Sequence, residues 1–474
     1  MHARFLALVD KLKSSYWFIP TLMVIGAFAL SFATTAVDGW LGPDWIENVS
    51  WLYANKPEGA RNLLTTVAGS MIGVAGVTFS ITIASVVYAS GQYGPRLLTN
   101  FMSDRGNQIT LGTFIATFVY CLLVLRTVRS ADEASGGENP AGDVIGAFVP
   151  HVAIVTALAL TLASVGVLIF FIHHVPESIH VSNVISGVGR DLRKKIDTLF
   201  PERIGDADPG WEARRDSDVQ TQMPADFYLT AEAIRADGTG YIQGVDADTL
   251  LEVATEHDLV LRLRHRPGDF ISDGDALLLA WPAENVTDDV CSTLRVAFAW
   301  GRQRTALQDT RFLVNELVEI AARALSPGIN DPFTAISCLD WLSAALKALA
   351  DRDFPSAARY DDSGNLRVVA EPTTFEEFVG HVYGQLRPYV ASDRNAALHT
   401  LKTIGELAAR ASGEQRRALQ FQADAILEGT QKILSLEADR HAVRDRHRLV
   451  AQLLFGEVNF EEAASRADWI GGTA

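Results

Sequence analysis

Four hydroxyl side chains, Ser70, Thr78, Thr82 and Ser85, sit in or beside the uncharged stretch GSMIGVAGVTFSITIAS, residues 69–85. Wound on a helix at about 100° per residue, they gather roughly 140° away from a second strip, Gly69, Gly73, Gly76 and Ser80. A row of small residues lets another helix approach closely. A row of hydroxyls at membrane depth has two uses. It can bond to its own helix carbonyls or to a neighbouring helix, or it can line a water-filled path whose selectivity comes from dipoles and from charges at the mouths. The second use requires several copies around an axis, and the glycine strip is a ready contact between them. Arg96 and Arg105, in the polar connection that follows, would then stand at the cytoplasmic mouth.

Two other groupings could hold ligands. His173, Glu177 and His180 fall at i, i+4 and i+7 just past an apolar run, where imidazoles and a carboxylate could bind a divalent cation, or simply serve as polar interfacial side chains. The segment GRQRTALQDTR sets Arg302, Arg304 and Arg311 around Asp309, close in sequence to the turn SPGINDPFTA with Asn330 and Asp331. An anionic ligand or a subunit contact would suit that arrangement, and so would a charged face with weak ion pairs. His257–Asp258 has no accompanying serine or cysteine motif. Walker, HExxH and nucleophile-elbow patterns are absent, so neither an enzyme nor a cofactor is expected. Cys121, Cys291 and Cys338 are too scattered for a zinc site or a disulfide framework.

The elements that must position these residues divide between two solvents. Of 474 residues 48% are hydrophobic, but the apolar blocks fall before about residue 175, and the net charge of -16 offers no phosphate-neutralising surface for nucleic acid. Four uncharged stretches, near Trp17–Val37, Leu63–Ser90, Ile109–Leu125 and Val152–Ile172, are long enough to cross a bilayer of about 30 Å. Arginine and lysine flank the N-terminal tail, the connection after the second span and the end of the fourth. Asp38, Asp44, Glu47 and Glu58, and then Asp132, Glu133, Glu138 and Asp143, mark the other two loops. Positive-inside bias therefore puts both termini in the cytoplasm. No Asp, Glu or His lies within a span, which disfavours an ion-coupled transporter more than a passive pore.

After the transmembrane region, residues 1–175, an amphipathic helix and a polar linker occupy 176–226, with Val181, Ile185, Val188, Leu192, Ile196 and Leu199 as its packing stripe. Gly187 and Gly189 within that helix follow no strand, so a dinucleotide site is not expected there. Residues 227–284 read as a small β-rich module. Its RPGDFISDGDALL resembles the turn–strand signature of biotinyl and lipoyl barrels, without their prosthetic-group lysine, which points to a structural barrel. Residues 285–457 show helical periodicity throughout, Asp331 and Pro332 opening one helix, and 458–474 form a tail.

The long phrases SMIGVAGVTFSITIASVVYASGQYGPRLL, GYIQGVD, RPGDFISDG and GRQRTALQDTRFLVNELVEIAARALSPGINDPFTAI resemble the bacterial family of predicted membrane proteins called domain of unknown function 2254. The resemblance implies an inner-membrane protein with a cytoplasmic C-terminal region, and it brings no catalytic residues. The sequence thus describes an α-helical polytopic membrane protein with a cytoplasmic α+β region. Its expected function is a homo-oligomeric, cation-preferring conduit lined by the second span and contacted by membrane lipid. The alternative is a non-conducting sensor or scaffold whose soluble part binds a ligand or partner.

Overall fold

The computed structural model describes residues 15–41, 57–94, 104–129, 148–200, 222–465 and 469. It forms two units, Lys11–His180 and a second that begins at Val181. The first unit is helical: α1 (Phe18–Leu41), α2 (Pro57–Tyr93), α3 (Arg105–Leu125) and α4 (His151–Ser178). Each extends past the apolar window seen in the sequence, because interfacial ends accept polar residues that the middle does not. Helix α3 is central, packing on the other three, with Leu111, Phe114, Tyr120, Cys121 and Val124 buried. Leu22, Ile25, Phe28, Phe32, Val77, Leu162 and Ile169 point outward instead. So large an exposed apolar surface suits hydrocarbon and not water.

Few polar contacts tie these helices together. Asp38, expected in an outer loop, lies inside α1, where its carboxylate accepts from the free N–H groups of Val152 (2.7 Å) and Ala153 (3.0 Å) at the start of α4. Thr34 and Tyr120 share a hydrogen bond of 2.9 Å, and Tyr120 also donates to the Ala153 carbonyl. Asp104 caps α3 through the Asn107 N–H and meets His174 Nε2 at 2.9 Å.

The second unit opens with α5 (Val181–Leu199), whose buried residues Ile185, Val188, Leu192 and Ile196 keep the expected stripe. After the short α6 (Phe227–Thr230) come β1 (Glu232–Arg235), β2 (Gly240–Val245), α7 (Ala247–Glu256), β3 (Val260–Leu263), β4 (Phe270–Ile271), β5 (Ala276–Trp281), α8 (Asp288–Val296) and β6 (Phe298–Gly301). Helix α7 is capped by Asp246, which accepts from the Thr249 N–H. Then follow α9 (Thr310–Ala324), α10 (Pro332–Ala350), β7 (Ala358–Tyr360) and β8 (Leu366–Val369).

No closed barrel forms among the described residues. Five strands make an open sheet in the order β1-β5-β3-β8-β7, and three make an antiparallel sheet, β4-β2-β6. Strand β8 pairs parallel to β3, Leu261 opposite Val368. The β module therefore recruits strands from the stretch that periodicity assigned to helices. Ile234, Ile242, Leu250, Leu261, Leu278, Leu294 and Phe298 form the core between the sheets and helices α7 and α8.

The described residues that follow are mainly helical: α11 (Phe375–Val379), a π turn over Gly380–Gly384, α12 (Gln385–Val390), α13 (Arg394–Ala408), α14 (Gly413–Ile433), α15 (Glu437–Phe455) and α16 (Phe460–Ala464). Thr374 and Glu377 make a reciprocal capping box at the start of α11. Pro388 removes an N–H from the following turn, and the helix is π-wound just before it. Five described helices are long and apolar enough to cross a membrane, where the sequence suggested four; the fifth is α10. Unlike α1, α2 and α4, it packs on α5, α9 and α13, burying Cys338, Leu339, Leu342, Leu346 and Leu349. Gly189 of α5 abuts the Trp341 ring so closely that a Cβ would overlap it. That close approach is why a glycine stands there.

Candidate ligand site in the second unit

Each group of residues singled out in the sequence has a definite place, and several assignments change. Thr78 and Thr82 are buried, on the same face of α2 as Leu64, Ala68, Met71, Ala75 and Val86, which packs within the chain against α3. Their hydroxyls donate to the carbonyls of Ala75 (3.0 Å) and Thr78 (2.9 Å). Ser70 is exposed and bonded back to Thr66, and Ser85 is half-buried. The expected hydroxyl strip is thus divided: the threonine methyls serve helix packing and the oxygens are satisfied locally. Gly69, Gly73, Gly76 and Ser80 face the other way and are exposed, and a Cβ at any of the three glycines would meet nothing within 4 Å. Arg105 opens α3 and is exposed; Arg96 lies outside the described residues.

The metal reading is not supported. His173, Glu177 and His180 are all exposed, and no cluster of three potential ligands occurs among the described residues. Helix α4 ends at Ser178, so His180 leaves the phase that the spacing assumed. The histidine that turns inward is His174, to Asp104.

The arginine segment is also consumed internally. Asp309, with 1% of its side chain exposed, accepts from Arg304 at 2.6 Å and from Arg311 at 3.4 Å. Arg311 further donates to Asp269 (2.9 Å) and to the Pro267 carbonyl (2.7 Å). Burial alone would lower the Arg311 pKa, but its bond to Asp269 and the Asp309 charge outweigh that and raise it. His381, in the π turn, is lowered by burial first and then by the positive charges of Arg311 and Arg304. Arg302 is exposed. Asn330 adopts φ +52° and Asp331 caps α10 through Thr334, so both serve their own turn and neither bonds to the cluster. In the His257–Asp258 pair, His257 ends α7, and Asp258 pairs with the buried Arg367 at 2.6 Å.

Next to this locked cluster lies a cleft of about 680 Å³ with cations to spare. Its apolar lining comes from Leu199 at the end of α5, Leu250 and Leu251 on α7, Leu263 on β3, and Val368 on β8. The basic residues are Arg262, Arg264, His265, Arg266 and Arg359, and the acidic ones are Asp248 and Glu371. They are not equally available. Arg262 bonds Tyr228, lies over its ring and is 3.6 Å from Glu371. Arg266 reaches both oxygens of Glu377, at 3.0 and 2.8 Å. Arg359 donates to the Ser356 and Ala358 carbonyls, and to no carboxylate among the described residues. The side chains of exposed Arg264 and half-buried His265 make no hydrogen bond or ion pair with any described residue. A volume within the ligand-pocket range, a greasy wall and an unpaired arginine with an imidazole beside it together suit an anionic small molecule.

The signal for this cleft is present in LVLRLRHR, residues 259–266, within the β-rich module. Alternating Leu and Arg do mark a strand, but three arginines within five residues, followed at once by the RPGD turn, also concentrate charge at one sheet end. What the sequence could not show is that Leu199, some sixty residues earlier, and Val368, about a hundred later, would complete the wall.

Comparison with known proteins agrees with the reading of the phrases quoted above. The chain is 32% identical over 446 residues to uncharacterized proteins of Mycobacterium tuberculosis and Mycobacterium bovis, which covers 92% of this chain and 80% of each relative. No solved structure matches. Residues 13–406 match a family model described as predicted membrane protein, and the chain belongs to that family, domain of unknown function 2254.

Proposed function

We propose that the protein is a four-span, multi-pass inner-membrane protein with both termini in the cytoplasm, and that its soluble unit is a receptor for an anionic small molecule. Helices α1 to α4 are the spans, and α10 is the core of the soluble bundle, since protein covers its faces. The cleft carries the reading: among the described residues the Arg264 guanidinium has no carboxylate partner, and it stands over an apolar wall with His265 beside it. Leu199 gives a route for response, because it ends α5, the first helix after the last span, so occupancy of the cleft bears on the element that leads back to the membrane. Membrane lipid surrounds the first unit, the glycine strip mediates self-association, and nucleic acid is not a partner.

A conduit along α2 has less support than the sequence suggested, because Thr78 and Thr82 are engaged inside the chain. The receptor reading is tested by thermal unfolding of the full chain in lipid nanodiscs against a panel of organic anions. Stabilisation is expected for the wild type and should vanish in Arg264→Glu. Equal stabilisation of both proteins, or none with any anion, would sink it.

A further inference from the structure

We infer that the occupant of the cleft is a single-tailed amphiphile, an alkyl chain ending in one carboxylate or phosphate; this rests on the receptor reading above. Two observations select that class among anions. First, the wall is more greasy than a sugar or nucleotide needs. Leu251, Leu263 and Leu199 line it without being fully buried, and Leu199 remains 37% exposed. An apolar side chain left partly wet on the wall of a cleft gains free energy when a methylene chain covers it.

Second, the basic side chains are gathered in one place. Arg264 and His265 are consecutive where β3 ends, and Arg266 beside them already holds a carboxylate group, that of Glu377, as an anionic head would be held. Arg262 and Arg359 are engaged by Tyr228, Glu371 and backbone carbonyls. The free arginine charge on the lining is therefore that of Arg264, set among the carboxylates Asp248 and Glu371. A polyanion would meet those carboxylates. A molecule with one charged end does not have to.

The experiment uses the full chain in phosphatidylcholine nanodiscs, with Cys291 replaced by Ser and Asp248→Cys as a reporter on the lining. The rate of its reaction with a water-soluble maleimide is measured against hexyl, octyl and decyl phosphate, the matching alkanoates, inorganic phosphate and decanol. The concentration for half protection is expected to fall roughly fourfold per methylene. Arg264→Glu should raise it at least tenfold at every length and leave the slope unchanged. Leu251→Asp should flatten the slope. Whichever of the alkyl phosphates and the alkanoates protects at the lower concentration identifies the head group. Protection independent of chain length would overturn the amphiphile while leaving an anion receptor intact. Protection by decanol equal to that by decyl phosphate would also overturn it. If no anion protects, the receptor reading fails with it.

Discussion

The carboxylate of Asp309 occupies the space that a side chain on Gly268 would need. A Cβ at Gly268 would overlap Asp309 Oδ2, and the backbone there is at φ +93°, where L side chains are strained. The RPGD turn and the GRQRTALQDTR segment are therefore one construction, the turn folding over an acid that two arginines hold. Gly268→Ala should destabilise the second unit by about 2–4 kcal/mol through strain and a displaced ion cluster. Urea unfolding followed by tryptophan fluorescence measures it. A loss below about 0.5 kcal/mol would mean that the turn can rebuild without the glycine.

The same cluster predicts a dependence on pH. Because burial, Arg311 and Arg304 depress the pKa of His381, the unfolded chain holds that proton more tightly than the folded one. Stability is then insensitive to His381 above its unfolded value of about 6.5 and falls as pH drops below it. Removing the titrating ring in His381→Gln should leave the stability difference from wild type flat between about pH 8 and 7. The variant should gain on the wild type as pH approaches about 5. Parallel curves over that whole range would contradict the assignment.

These relationships show where sequence reading succeeds and where it stops. Helix signals were local in two cases: Asp331 with Pro332 and the stripe from Ile185 to Ile196 depend on residues a few positions apart. Strand β8 was missed because its partner β3 lies about a hundred residues away, and no period in LRVV names that partner. The hydroxyl strip was a different failure. Helical phase correctly placed Thr78 opposite the glycines, but phase alone cannot say which side meets α3. The packing of Leu64, Met71 and Ala75 decides it. Likewise, counting arginines marked Arg304 and Arg311, whereas the available charge belongs to Arg264, since availability depends on where Asp309 and Asp269 fall.

In the first unit, Asp38 joins α1 to the N-terminus of α4 through the N–H groups of Val152 and Ala153. A charge there is held by two charge-assisted bonds and by the positive end of a helix dipole. Asp38→Asn keeps an acceptor but loses the charge, and Asp38→Leu loses both. Stability in detergent should fall in the order wild type, Asn, Leu, the first step about 1–3 kcal/mol. Thermal aggregation of the three proteins provides the ranking. An unchanged melting point for Asp38→Leu would show that α1 and α4 are held together without this cap.

Self-association through the glycine strip gives the last prediction. Gly69, Gly73 and Gly76 face away from α3 and have open space before them, which inside a bilayer leaves lipid or another helix as the neighbour. Small residues at helical spacing bring two backbones close enough for extensive dispersion contact, the main attraction left once both surfaces are already apolar. Two copies meeting on this strip would set their Gly73 positions face to face. Gly73→Cys and Gly76→Cys, introduced in turn with Cys291 replaced, should therefore form disulfide-linked dimers in native membranes under mild oxidation. Ala75→Cys, on the face already covered within the chain at 3% exposure, should not. Equal yields at all three positions would indicate random collision, and the absence of a crosslink at Gly73 and Gly76 would remove this strip as the contact between copies.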